Sequence, residues 1–253
     1  MDSMTFFDWV LKMLRENWPM FLRGAENTLF IALIGTVIGF GIGILLGVVR
    51  TIPIDPSANV FKKFILKFAN IIINIYIEVF RGTPMMVQAM VIYYGGASML
   101  QIRIDPISAG LFIVTINTGA YMAEIVRGGI ISIDKGQFEA AHAIGMSHWQ
   151  TMRCVVLPQV IRNILPATGN EFVINIKDTS VLAVISVSEL FFQTKSVAGN
   201  NFKYFEAFTI TCVMYLIMTF TVTRILRVIE RKLDGPQNYD MMQSHTPDVK
   251  EVQ

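Results

Sequence analysis

The sequence predicts an all-α integral membrane protein with five transmembrane helices and a cytoplasmic helix-turn-helix loop. Of its 253 residues, 53% are hydrophobic and only 16% are charged, which is typical of membrane proteins rather than of soluble domains. No charged residue lies between Glu26 and Arg50, and roughly 20 apolar residues suffice to cross the hydrocarbon core of a bilayer. The net charge of +2 gives no indication of nucleic acid binding, and the two cysteines, Cys154 and Cys212, suggest neither a disulfide framework nor a metal site.

The first crossing is predicted over Thr28–Val49. Acidic residues precede it and no small-residue cleavage site follows it, so we expect a retained helix rather than a removable signal peptide. Residues 1–25 are then an external or interfacial segment. Glycines recur every four residues within this crossing, which places them on one helix face where another helix can approach closely. They are Gly35, Gly39, Gly43 and Gly47.

Positive charge concentrates in three parts of the chain, residues 50–67, 127–177 and 224–232, and basic loops of membrane proteins face the cytoplasm. An even number of crossings must therefore separate each cluster from the next. Residues 60–100 are expected to form one long element, interfacial or amphipathic at its start, bent near residues 81–84 and crossing mainly after the bend.

The remaining crossings follow from the same parity. The return crossing is expected over Ile107–Ala123. A short segment around Thr179–Phe192 then crosses outward, and Ala207–Thr223 crosses inward again. The N-terminus is then outside and the C-terminus inside. The transmembrane region covers residues 26–232, and residues 233–253 form a polar cytoplasmic tail.

Residues 134–165 form the predicted cytoplasmic loop. Asp134 can cap a short helix that ends at Gly145, because glycine enters the left-handed conformation at little cost. Ser147 and Gln150 have the spacing of a capping box, which predicts the start of a second short helix.

Pro158 determines where the second helix of the loop is expected to end. Proline lacks an N–H and disfavours helix in the preceding residue, so the helix should end near Leu157. The result is a compact knob that can dock into a groove on a soluble partner; an ordinary hairpin on the membrane surface is the alternative. His142 and His148 suggest a contact surface rather than a metal site, because no third ligand is evident.

This loop resembles the EAA loop of ATP-binding-cassette (ABC) importer permeases. The shared pattern is an E-A-A triplet, three residues, a glycine, nine residues, an aliphatic residue, one residue and L-P. The resemblance implies the type I ABC importer permease fold, in which the loop couples the permease to an ATPase. The coupling residues that it implies are Glu139, Ala140, Ala141, Gly145, Leu157 and Pro158.

The resemblance extends over roughly residues 20–232. Residues 78–84 followed by V-Q at 87–88 are similar to the E-x-x-R-G-T-P…V-Q signature of the polar amino acid uptake subfamily, and residues 118–130 and 177–180 match the same subfamily. The likeness is to glutamine, histidine and arginine permease subunits. It implies a translocation subunit of the bacterial inner or cytoplasmic membrane that crosses the membrane several times.

The chain has no phosphate-binding G-x-x-x-x-G-K-[ST] motif, so ATP hydrolysis is expected in a separate chain and no enzyme activity or cofactor in this one. The resemblance implies a dimer of ABC ATPase subunits that binds ATP and Mg, and an extracellular or periplasmic amino acid-binding protein. It also implies a second permease chain, identical or paralogous, all surrounded by membrane lipid. A secondary transporter or channel subunit without an ATPase partner is the alternative.

Polar side chains at membrane depth are energetically expensive, which makes them functional candidates. An amino acid needs a carboxylate to hold its ammonium group and donors to hold its own carboxylate. The resemblance places six such residues around the translocation path. They are Glu78, Gln88, Asn117, Tyr121, Asp178 and Thr179.

Two pairs of opposite charges three residues apart have a competing structural interpretation. Glu78 and Arg81 are as well explained by an ion pair at the bilayer edge as by contact with a substrate. For Glu124 and Arg127 the structural ion pair is the preferred interpretation.

Overall fold

The computed structural model describes residues 5–53, 59–99, 101 and 103–234, and no strand occurs among them. Two short non-α segments interrupt the series of helices, a π-helical turn over Met152–Val156 and a 3₁₀ segment over Thr179–Ile185. The α-helices are α1 (Phe6–Thr51), α2 (Val60–Gly82), α3 (Met85–Met99), α4 (Pro106–Ile131), α5 (Lys135–Ala143), α6 (His148–Thr151), α7 (Leu157–Asp178), α8 (Leu190–Asn201) and α9 (Tyr204–Asp234).

The main packing interface joins α1 to α4 through the predicted glycine stripe. A methyl group added at Gly39 would lie 2.8 Å from Thr118 Cβ, and one at Gly43 would overlap Met122. Gly35 and Gly47 are equally close to α4. The stripe is therefore confirmed as a close-packing surface, and any larger side chain there would push the two helices apart.

Three helices in the described residues are long and apolar enough to cross a membrane alone: Phe6–Thr51, Pro106–Ile131 and Tyr204–Leu233. A fourth span results if His148–Ile185 and Leu190–Asn201, which are bent by 55°, are counted together. The helix predicted over residues 60–100 is interrupted at Thr83 and Pro84, where the bend was expected. Counting α2 and α3 as one further broken span gives five crossings within the described residues, the number expected for the predicted fold class.

The predicted caps of the loop are confirmed. Asp134 Oδ1 accepts from the Gly136 N–H, and Gly145 has φ +82°, the left-handed conformation. Ser147 and Gln150 exchange hydrogen bonds between side chain and backbone, which makes the capping box. These local signals suffice to form the helix-turn-helix.

The predicted end of the second loop helix near Leu157 is wrong. The chain passes from α6 through the π-helical turn directly into α7, with Pro158 in the first turn. A missing N–H removes no hydrogen bond in a first turn, and the wider π turn before it gives room for the ring. The outward crossing expected over Thr179–Phe192 is shifted accordingly, because the 22 residues of α7 precede it and supply most of its length.

The structure describes only part of the segments predicted at the two ends of the chain. Within the predicted external segment, residues 6–25 are the start of α1, which continues without a break past residue 25. The predicted tail begins with the last turn of α9, and residues 235–253 lie outside the described residues.

Candidate functional site

Two of the predicted path residues hold the break between α2 and α3 against α4. The Gln88 amide donates to Phe80 O at 3.0 Å, Thr83 O at 2.9 Å and Thr83 Oγ1 at 2.8 Å. Asn117 Nδ2 donates to Phe80 O at 3.2 Å and to Gln88 Oε1 at 2.9 Å. The amide donors of both side chains are therefore engaged by the protein itself, where they satisfy backbone groups that the broken helix leaves without partners.

A polar cleft of about 310 Å³ opens beside this junction, between α1, α2 and α4. The Arg81 guanidinium lies over the Tyr121 ring, 5.4 Å from its centroid, at the distance of a cation–π contact. No hydrogen bond or ion pair joins Glu78 to Arg81 in the described residues, so the structural pair considered for them is absent. The cleft is lined by Arg50, Asn74, Ile77, Glu78, Arg81 and Glu124.

Glu124 is the anion of a small charge cluster at the same cleft. Its carboxylate pairs with Arg50 of α1 and with Arg127, whose Nη2 lies 3.1 Å from Glu124 Oε2. The structural interpretation of Glu124 and Arg127 is confirmed. Sequence spacing could not reveal Arg50, which lies 74 residues earlier in the chain.

The other two predicted path residues lie apart from this cleft, where α7 ends. Thr179 is fully buried and its hydroxyl donates to Ile176 O at 3.0 Å. Asp178 is exposed. Among the described residues no hydrogen bond or ion pair links either one to the four candidates near α2.

Glu171 is an intramembrane acid that the sequence analysis missed. Its side chain is only 8% exposed, and it has no hydrogen-bond or ion-pair partner in the described part of the chain. It lies two turns before Asp178 on α7, about 10 Å away along the axis. The sequence predicts the outward crossing only after residue 178, which leaves residue 171 outside the predicted membrane segment.

Asn175 connects α7 to the rest of the bundle. Its side-chain amide donates to Thr36 Oγ1 at 2.8 Å and to Thr118 Oγ1 at 2.9 Å, and all three residues are buried. Glu171 is one helical turn away from this three-helix junction.

Glu189 has the opposite environment from Glu171. It is fully buried, and its carboxylate accepts from the N–H groups of Phe191 at 2.8 Å and Phe192 at 2.6 Å and from the Tyr215 hydroxyl at 3.0 Å. Thr28 Oγ1 accepts from the next amide, Leu190 N, at 3.2 Å. We call these contacts the Glu189 clamp; they join α1, α8 and α9.

The cytoplasmic loop presents a surface that is suited to a protein partner. Ile144 and Trp149 are 79% and 64% exposed on either side of Gly145. Sequence motifs did not single these two residues out. Of the predicted coupling residues, Ala141 is buried, Leu157 is half-buried and the others are exposed: Glu139, Ala140, Gly145 and Pro158.

The base of the loop is anchored in the membrane domain. Met152 and Val156, which follow α6, are buried in a cluster with Ile133 and with Val126 and Ile130 of α4. The base of the loop is therefore continuous with the packing of α4 and α7. No group of three or more histidine, cysteine, aspartate or glutamate residues that could hold a metal ion occurs in the described residues.

Residues 43–235 match the protein family described as "Binding-protein-dependent transport system inner membrane component". The chain belongs to this family. The match covers the cleft, α7, Glu189 and the whole cytoplasmic loop. The protein is thus a multi-pass membrane component of the family, with the type I ABC importer permease fold that the loop motif implies.

Individual relatives agree with this membership. The chain is 41% identical over 228 residues to the glutamine transport system permease protein GlnP of Escherichia coli K12, covering 90% of this chain and 98% of GlnP. It is 33% identical over 215 residues to the arginine transport system permease protein ArtQ of Bacillus subtilis, covering 85% of this chain and 93% of ArtQ.

Solved structures show the same fold. A chain from the crystal structure of an amino acid ABC transporter with histidines aligns with a TM-score of 0.74 and 36% identity, covering 88% of this chain and 97% of the other. A chain of the MetNI methionine ABC transporter aligns with a TM-score of 0.63 at 20% identity, covering 84% of this chain and 97% of the other; that likeness concerns the fold alone.

Proposed function

We propose that this chain is the transmembrane permease subunit of an ATP-driven ABC importer for polar amino acids in a bacterial cell membrane. The observation that carries the proposal is the cytoplasmic loop, whose exposed apolar tip at Ile144 and Trp149 stands on a base buried against α4. The family match and the amino acid permeases among the relatives support the same function.

The proposed partners follow from what this chain lacks. ATP and Mg belong to a dimer of ATPase subunits that holds the loop, and an external binding protein delivers the amino acid. A second permease chain, identical or paralogous, completes the path. Closure of the ATPases on nucleotide pulls on residues 139–158, and the packed base of the loop converts that movement into an outward opening between the membrane helices.

Three carboxylates that have no hydrogen-bond or salt-bridge partner among the described residues are proposed to hold the ammonium group of the amino acid at successive points: Glu78, Glu171 and Asp178. Arg81 supplies donors for its carboxylate. Tyr121 positions Arg81 through their ring contact, and Gln88, Asn117 and Thr179 shape the path through the backbone contacts described above.

A secondary transporter or channel is the competing function. Membership in a binding-protein-dependent family and the exposed loop both favour a partnered importer. The two functions differ in one simple respect, since only the importer requires ATP hydrolysis by another chain.

The test is uptake into proteoliposomes that contain this chain, an ABC ATPase that co-purifies with it and an amino acid-binding protein. We expect uptake of glutamine, histidine or arginine that requires ATP on the side of the membrane where the ATPase subunits lie. The Gly145→Val variant should hydrolyse ATP without uptake, because a β-branched residue at φ +82° costs about 1–2 kcal/mol and moves the loop tip.

The Gly145→Asn variant is the matched control. Asparagine tolerates the left-handed conformation, so its uptake should remain close to that of the unmodified protein. Uptake that proceeds without any ATPase, or full uptake by well-expressed Gly145→Val, would contradict the proposal.

A further inference from the structure

Helix α2 has three different faces, although it packs on other helices along only one of them. Ile73 and Ile77 are buried against Ala120 and Ala123 of α4. An opposite face is apolar and exposed, with Ile72 at 50% and Val79 at 49% exposure. The third face, between these two, is polar.

The polar face forms a continuous stripe, which we call the α2 stripe. At 3.6 residues per turn its members fall within a sector roughly 80° wide, and they extend about 27 Å along the axis. The hydrocarbon core of a bilayer is about 30 Å thick, so the stripe is long enough to extend over most of that depth. Its members are Lys63, Lys67, Asn70, Asn74, Glu78 and Arg81.

The exposure of this stripe requires a polar environment. Lys67, Asn74, Glu78 and Arg81 are exposed, and the last three line the polar cleft together with Arg50 and Glu124. A charged side chain at the bilayer centre costs about 3 kcal/mol on insertion scales. The exposed apolar face of the same helix can contact lipid without this energetic cost. The two exposed faces of α2 therefore adjoin different media, lipid on one side and water on the other.

We propose that the α2 stripe lines a water-filled release path, which leads from the cleft at Glu78 past Asn74 and Asn70 to the cytoplasm at Lys67. The identity of the cargo rests on the proposed function, whereas the path itself rests on the faces of α2. The side-chain amides exchange hydrogen bonds with water and with a zwitterion at little net cost. The basic residues at the cytoplasmic end attract the cargo carboxylate.

Single cysteines test this path directly. In a background with Cys154→Ser and Cys212→Ser, Asn74→Cys is compared with Ile72→Cys, which lies at nearly the same depth on the apolar face. Inside-out vesicles carrying the assembled transporter are treated with a negatively charged, membrane-impermeant thiol reagent. Asn74→Cys should react at least about tenfold faster, because the thiolate is the reactive form and lipid disfavours it.

The outcomes separate this inference from the proposed function, because the same inside-out vesicles, preloaded with amino acid and the binding protein, are also assayed for ATP-driven release of amino acid from the lumen. Fast labelling of Asn74→Cys in vesicles that release no amino acid would leave the path standing and refute the cargo. Normal release with equally slow labelling at both positions would overturn the path. Efficient cross-linking of Asn74→Cys between two copies, with resistance to the reagent, would also overturn it, because the stripe would then be a subunit contact. Labelling after denaturation confirms that both variants are present in equal amounts.

Discussion

Two acids on neighbouring segments, Glu189 and Glu171, are both buried, but they differ completely in their partners. Glu189 is 0% exposed and accepts three hydrogen bonds. Glu171 is 8% exposed and accepts none in the described residues. Burial alone therefore does not distinguish a structural carboxylate from a functional one. The number of donors that face it is the better guide, because an unpaired buried carboxylate must either be compensated by something else, such as a cargo ammonium or water, or be held in its protonated form.

The largest expected effect is on the partnered acid. Glu189→Ala removes the acceptor of two backbone N–H groups and of the Tyr215 hydroxyl. Each unsatisfied buried donor costs about 1–3 kcal/mol, so we expect a loss of at least about 3 kcal/mol of stability. Thermal unfolding in detergent, followed by size-exclusion chromatography, measures this loss.

Glu171→Ala in the same assay is the control for Glu189→Ala. It leaves no donor without an acceptor, so it should lose clearly less stability than Glu189→Ala and keep only the cost of the cavity that both deletions create. Equal losses of stability in the two alanine variants would remove the distinction between the two acids.

The next effect concerns Asp178, an exposed acid at the end of α7 that forms no hydrogen bond or salt bridge within the described residues. Asp178→Asn should raise the amino acid concentration for half-maximal uptake by about tenfold, because a charge-assisted hydrogen bond contributes about 1.5–3 kcal/mol. Uptake against concentration in proteoliposomes measures it, and co-purification with the ATPase should be unchanged. Failure to assemble, or unaltered uptake, would assign Asp178 to the structural group.

A smaller loss of stability is expected when only one donor of the Glu189 clamp is removed. Tyr215→Phe removes one hydrogen bond at 3.0 Å while the two backbone donors remain. We expect a loss of about 1 kcal/mol in unfolding free energy. A loss as large as that of Glu189→Ala would show that the tyrosine, rather than the cap of α8, carries the clamp.

The smallest effect is a pH dependence outside the membrane. Burial and the nearby His142 hold the pKa of the His148 imidazole below its ordinary value of 6.5. The folded loop therefore binds fewer protons than the unfolded loop, so its stability is present above that ordinary value and decreases as the pH falls below it.

Amide hydrogen exchange over residues 135–151 measures this dependence. Exchange corrected for its intrinsic pH dependence should become faster as the pH falls below about 6.5. His148→Gln should abolish most of the change. Unchanged protection in the original chain across this range would contradict the burial of the imidazole.

Sequence reasoning succeeded where the determining signal is local. The caps at Asp134 and Ser147, the left-handed Gly145 and the glycine stripe of α1 each depend on residues within one or two helical turns, and all are present in the structure. The break between α2 and α3 also followed from its own proline.

Sequence reasoning failed where the signal is not local. A proline disrupts the interior of a helix but is tolerated in its first turn. Only the π-helical turn before Pro158 shows that this proline stands in a first turn. The Gln88–Asn117 hydrogen bond joins residues 29 apart, which no spacing rule predicts. Glu171 was overlooked because its depth depends on where α7 crosses.

The most direct test of the distinction between partnered and unpartnered acids is Glu171→Gln, with uptake and thermal unfolding measured on one preparation. The variant keeps the shape of the side chain and removes its charge. We expect the concentration for half-maximal uptake to rise about tenfold, with a midpoint of unfolding within about 2 °C of the unmodified protein. A clear fall in the midpoint, with uptake per folded molecule unchanged, would show that Glu171 serves the fold and would contradict the distinction.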